Sequence, residues 1–111
     1  MQVYEACLAY EVQKRGLSVQ RQVIVTVTYD SLKFDEAYRL DLLVDEKVVV
    51  ELKAITRPNP VHKAQLLTYM KLSGHRLGLL LCFNTARIKD GITRVVLLAP
   101  GFSTLCASVA L

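Results

Sequence analysis

Tyr38-Arg39-Leu40-Asp41-Leu42-Leu43-Val44-Asp45-Glu46-Lys47-Val48-Val49-Val50-Glu51-Leu52-Lys53-Ala54 sets two aliphatic runs, each interrupted by charged residues, on either side of one polar break. Branched aliphatic residues dominate both ends of it, and such residues favour pleated strands. Asp45-Glu46-Lys47 between them is a polar break of hairpin length. The spacing predicts two antiparallel strands, Tyr38 to Val44 and Val48 to Ala54. Side chains alternate along a strand. Leu40, Leu42 and Val44 therefore share a face with Val48, Val50, Leu52 and Ala54. Arg39, Asp41 and Leu43 share the other face with Val49, Glu51 and Lys53. With Val44 opposite Val48, Asp41 lies opposite Glu51 and Arg39 opposite Lys53.

Two facing carboxylates repel. Like charges opposed on an exposed sheet cost roughly 0.2–1 kcal/mol, and burial raises that cost. A cation between them reverses the sign. Mg²⁺ takes oxygen ligands, commonly one or two carboxylates completed by waters and substrate phosphate. Asp41 and Glu51 are thus candidate metal ligands. Lys53, on the same face, is suited to orient an attacking water or to steady charge developing on a phosphate. The alternative is a solvated strand face on which Arg39 and Lys53 pair with the two acids. The apolar character of both strands favours a partly covered face.

Outward from the hairpin, Gln2 to Arg15 has helical spacing, with Val3, Cys7 and Tyr10 beside Tyr4, Leu8 and Val12. Gly16 is its natural stop. The helix has no N-cap, so the chain is expected to begin inside it, truncated. Val19 to Tyr29 reads as a strand with Val23, Val25, Val27 and Tyr29 on one face, and Asp30-Ser31 as a turn. Pro58-Asn59-Pro60 ends the extended segment, with Asn59 as N-cap and Pro60 as first helical residue. The second helix runs to Ser73 and stops at Gly74. On it, His62, Gln65, Tyr69 and Leu72 form one stripe, and Val61, Leu66 and Met70 a core stripe. Gln65 and Tyr69 are candidates to contact a phosphate, the attacking water or the surroundings of Lys53. His62 fits a solvated first turn. Leu77 to Phe83 reads as a central strand, Asp90-Gly91 as a turn and Ile92 to Leu98 as a last strand. Pro100-Gly101 breaks it, and residues 102–111 carry no assignable element. The order α-β-β-β-α-β-β predicts an α/β fold, a mixed central β-sheet flanked by helices.

The 111 residues are expected to form a single domain. A net charge of +4 is compatible with a polyanionic partner. Arg21, Lys33 and Arg87 are among the cations available for phosphate contacts. Cys7, Cys82 and Cys106 lack zinc-site spacing. Cys82 lies in an apolar run and reads as a buried thiol, which suits a reducing, cytoplasmic setting. The first residues do not read as a signal peptide. The apolar run from Leu77 to Phe83 is too short to span a bilayer, so no membrane role is expected.

Several blocks carry a resemblance. They are Tyr4-Glu5-Ala6-Cys7-Leu8-Ala9-Tyr10-Glu11 with Lys14-Arg15-Gly16-Leu17, Arg39-Leu40-Asp41-Leu42-Leu43-Val44, Val50-Glu51-Leu52-Lys53-Ala54, His62 to Leu72, and Gly78 to Asn84. In this order they resemble the GxxExxY family, usually placed in the PD-(D/E)xK nuclease superfamily near its RecB-like and lambda-exonuclease-like branches. The resemblance implies a restriction-endonuclease-like core and a metal-dependent phosphodiesterase. It implies Asp41 and Glu51 as ligands of Mg²⁺ or Mn²⁺, Lys53 as catalytic lysine, and Gln65 and Tyr69 as the QxxxY element. The implied partner is nucleic acid, taken as DNA. The family's helix-one glutamate column falls on Met1 here. Glu5, about 100° round the helix from Tyr4, is not expected to replace it. That departure keeps two other readings open: a catalytically inactive nucleic-acid-binding module on the nuclease fold, and a dimeric protein-interaction domain.

Overall fold

The computed structural model describes residues 2–57, 59–85 and 87–97. Expectations for Met1, Pro58, Leu98, Pro100-Gly101, Cys106 and the tail lie outside these residues. The elements in chain order are α1 (Gln2–Lys14), β1 (Val19–Tyr29), β2 (Leu32–Val44), β3 (Val48–Lys53), α2 (Pro60–Ser73), β4 (Leu77–Cys82), a 3-10 turn at Ile88–Gly91, and β5 (Ile92–Val96). This is the α-β-β-β-α-β-β order. The Asp90-Gly91 turn belongs to that 3-10 turn, and β2 begins at Leu32, earlier than the aliphatic run suggested.

The strands form one mixed sheet in the order β1-β2-β3-β4-β5. Val44 pairs with Val48, Leu43 with Val49 and Leu42 with Val50, so the loop sets the hairpin register as expected. Asp45 and Glu46 both have positive φ, 53° and 56°, which is costly for residues bearing a Cβ. Asp45 is tied down: its N–H donates to the Ser18 carbonyl at 2.9 Å, and its carboxylate accepts from the Ser18 N–H and hydroxyl. From β3 the chain crosses through α2 to β4, which pairs parallel to β3 with Glu51 opposite Leu80 and Lys53 opposite Cys82. β5 returns antiparallel.

α2 is capped as its sequence requires. Asn59 Oδ1 accepts from the Val61 N–H at 2.8 Å, and Gly74 closes the helix at φ 78°. Leu66 and Met70 are fully buried, with Leu40, Leu43, Val49, Leu80, Cys82, Val95 and Leu97 around them. Val61 is not part of this core; at 64% exposure it faces outward. The opposite sheet face carries Leu42, Val50, Leu52 and Leu81 under Ala9 and Leu8 of α1. The expected stripe of Val3, Cys7 and Tyr10 points to solvent instead. Burial on α1 falls on Glu5 and Ala9, one turn apart.

Leu40 and Leu42 therefore do not share a face, contrary to simple alternation. Leu40 packs under α2 and Leu42 under α1. The strand changes parity at Asp41. On β1, Gln22 lies between the pairs Arg21↔Leu42 and Val23↔Leu40 and has φ 53°. The two irregularities sit side by side, so both strands turn over together without losing their shared register.

Two glycines mark close approaches. A Cβ on Gly91 would come within 2.1 Å of the Cys82 carbonyl oxygen, and one on Gly78 within 2.6 Å of Met70 Sδ. Backbone cannot yield as a methionine side chain can. Gly91→Ala is expected to lose roughly 1–3 kcal/mol of stability and Gly78→Ala less. Urea unfolding midpoints of the two variants check the order.

Candidate metal centre

The β2–β3 ladder ends at Leu42↔Val50. Beyond it, carboxylates replace backbone carbonyls as acceptors. The Asp41 N–H donates to Glu51 Oε1 at 3.3 Å, and the Leu52 N–H donates to Asp41 Oδ2 at 2.9 Å. Side chains thus satisfy donors that an ordinary ladder would pair with main chain. Asp41 and Glu51 are brought together, as the hairpin register anticipated. Arg39 does not continue that ladder toward Lys53: it pairs with Ile24 of β1, and Lys53 with Cys82 of β4.

Glu51 is 5% exposed and Asp41 half-buried. Burial, and then the charge of Asp41, push the Glu51 carboxyl up to about 7. Burial also raises Asp41, with the charge of Glu5 adding to it; the Leu52 N–H and Lys53 work the other way. The same Lys53 charge opposes the rise at Glu51. Lys53 therefore acts on both acids, from a half-buried position at the end of β3.

Glu5 is the residue that sequence reasoning set aside. It is 5% exposed, and its charge raises both Asp41 and Glu51. Arg21 Nε and Nη2 each lie 2.9 Å from Glu5 Oε2, and Gln22 Nε2 lies 2.5 Å from Oε1. The parity change at Gln22 aims Arg21 and Gln22 at the same helix. The available signal was Ala9, whose small side chain one turn on marks the stripe of α1 closest to the sheet.

On α2, Tyr69 lies beside Tyr38 of β2, ring centroids 5.0 Å apart and tilted by 51°. Burial raises the Tyr69 hydroxyl first, followed by the charges of Glu51, Tyr38 and Asp41. Tyr69 is thus within electrostatic reach of both acids. Gln65 is exposed and lines a groove with Tyr38, Val61, Ala64, Thr68 and Tyr69. His62 does not line this groove; its Nδ1 is buried without a hydrogen-bond partner. Leu72 is exposed. Asn84 ties the exits of β3 and β4 together, Nδ2 donating to the Ala54 carbonyl at 3.0 Å. Among the basic residues, Arg21 pairs with Glu5, Lys33 with Asp35 at 3.6 Å and Arg87 with Asp90 at 3.4 Å.

The donor set fits a hard cation. Apart from the two backbone contacts, no hydrogen bond reaches the Asp41 or Glu51 carboxylate among the described residues. The mutual repulsion is also what a positive ion relieves. No group of three or more His, Cys, Asp or Glu residues with metal-holding geometry occurs among the described residues. Two carboxylates suit Mg²⁺ or Mn²⁺ with retained waters, whereas zinc would require more protein ligands. No helix among the described residues is long and apolar enough to cross a membrane.

Two expectations follow from this geometry. Glu51 binds its proton more tightly in the folded state than in the unfolded chain. The associated stability is fully present below about pH 4.5 and is lost as pH rises through about 7. Metal-free protein is expected to be less stable at pH 8 than at pH 5, by an amount on the order of 2 kcal/mol. Glu51→Gln should flatten the slope, as read by urea unfolding across pH. Asp41→Asn keeps an acceptor for the Leu52 N–H, whereas Asp41→Ala orphans it. The alanine variant should lose about 1–3 kcal/mol more stability than the asparagine variant, measured by the same unfolding assay.

Comparison with known families adds one finding. The family model of the PD-(D/E)XK nuclease superfamily matches residues 1–95. No curated protein and no solved structure matches. Its fold, with acids at the parting of β2 and β3, agrees with that match, and the chain belongs to the PD-(D/E)XK nuclease superfamily.

Proposed function

We propose that this chain is a divalent-metal-dependent nuclease that hydrolyses DNA phosphodiester bonds. The carrying observation is the reciprocal engagement of Asp41 and Glu51 with each other's strand, which holds two carboxylates together against their repulsion. Asp41 and Glu51 would hold Mg²⁺ or Mn²⁺, an ion that supplies Lewis-acid polarisation of a phosphoryl oxygen and lowers the pKa of an attacking water. Lys53, half-buried at the end of β3, is near enough for its charge to act on both acids, and it is suited to orient the nucleophile and offset charge building on the phosphate. Tyr69 of α2 lies within electrostatic reach of this centre and shares a groove with Gln65, and both are suited to contact the nucleic acid.

A second reading is favoured by Glu5. Its carboxylate is engaged by Arg21 and Gln22, leaving two acids to hold the ion. A nucleic-acid-binding module without turnover would keep this arrangement.

Labelled single-stranded and duplex DNA incubated with the protein and Mn²⁺ separates the two. Cleavage is expected, with Lys53→Ala and Asp41→Asn each reducing it by roughly 10²-fold or more. Salt-sensitive binding without cleavage in any divalent metal selects the second reading. Cleavage undiminished in both variants would exclude this site as its source.

A further inference from the structure

The groove between α2 and β2 has features that metal-assisted hydrolysis does not explain. It is a shallow groove open to solvent, of about 320 Å³, lined by Tyr38, Val61, Ala64, Gln65, Thr68 and Tyr69. That volume lies at the small end of ligand sites, which span roughly 300–1,000 Å³. It suits a single flat ring system. Two tyrosine rings, 5.0 Å apart, form one side. Val61 stays 64% exposed on the first turn of α2 even though Leu66 and Met70 of the same helix are fully buried. The Gln65 amide and Thr68 hydroxyl add hydrogen-bonding groups at the lip, although Thr68 Oγ1 donates to the Ala64 carbonyl at 3.0 Å. Tyr38 and Asp41 lie three residues apart on β2, so that strand joins the groove to the acidic centre.

We infer that this groove is a nucleobase subsite, which receives one unpaired base of a single-stranded nucleic acid whose backbone runs past Asp41 and Glu51. The inference deepens the nuclease reading and rests on it for the identity of the polymer. Bases inside a duplex have both faces covered by their neighbours, so aromatic side chains reach only an unstacked base. A flat aromatic face accepts any base, while the Gln65 amide offers both a donor and an acceptor to a ring edge. The pocket therefore selects for strandedness more than for sequence. A duplex substrate would have to fray at its end or flip a nucleotide to fill it.

The test uses Glu51→Gln protein in EDTA, so that binding is read without cleavage. A short oligonucleotide carrying 2-aminopurine is titrated as a single strand and as the matching duplex. Single-strand binding is expected to be roughly tenfold tighter or more, with the probe's fluorescence quenched on binding. Adding Tyr38→Ala should weaken the single strand by roughly tenfold and leave the duplex unchanged. Ala64→Leu fills the groove from an exposed helix position without removing a core contact, and should act in the same direction. Tyr10→Ala, an exposed ring on α1 away from the groove, should change nothing. Equal affinity for both forms, or single-strand binding untouched by both Tyr38→Ala and Ala64→Leu, overturns the inference. Cleavage by wild-type protein in Mn²⁺ is scored separately. Loss of strand preference with cleavage intact sinks the subsite alone, and strand-selective binding without cleavage sinks the nuclease reading alone.

Discussion

The structure turns on one exchange: the Asp41 N–H donates to the Glu51 carboxylate, and the Asp41 carboxylate accepts from the Leu52 N–H. Sheet stability asks strands to satisfy each other through their main chains. Here side chains take that task over for one step, and the strands part. The exchange holds acids together that would otherwise separate, and burial plus mutual repulsion drive Glu51 far from its ordinary protonation range. The surrounding sheet bears that cost. Residues on both sides of the parting are among the most buried in the chain, Leu40 and Leu42 with no exposure at all.

The parity change at the same point explains how one strand serves two cores. Leu40 supports α2, and Leu42 supports α1. Gln22 on β1 turns over in step and, with Arg21, reaches Glu5. Both helices are thereby referenced to one short stretch of β2. α1 is held by a part-buried polar clamp on Glu5 together with the packing of Ala9 and Leu8, and α2 by packing of Leu66 and Met70. A polar clamp specifies orientation more than it adds stability, because desolvating its charges offsets much of the attraction.

Much of this was legible in the sequence. Asn59, Pro60 and Gly74 bounded α2 because capping chemistry is local. The hairpin register followed from the length of the Asp45–Lys47 loop, which places Asp41 beside Glu51. The misreadings share a cause. Strict alternation assigned Leu40 to the face of Leu42, because a change of parity leaves no mark when the residues on both sides are leucine. Helical spacing alone could not choose between the Val3-Cys7-Tyr10 stripe and the Glu5-Ala9 stripe of α1, since that choice depends on what the helix meets. Val61 was assigned to the core for its hydrophobicity, yet it is directed away from the sheet. The family match extends the fold assignment, while the roles proposed for individual site residues rest on geometry.

Gly78 carries a consequence for the cleft itself. With no side chain there, Met70 and Leu66 settle directly onto β4, and this sets how high α2 rides above the sheet. Tyr69 precedes Met70, so the same height governs the gap between the tyrosine pair and the acids. The aperture of the cleft is thus gauged by a hydrogen atom on the far side of the helix. Bulk at that position would press first on Met70 Sδ, so the give of one thioether decides how much of the push is passed on to the helix, while every residue lining the cleft stays the same.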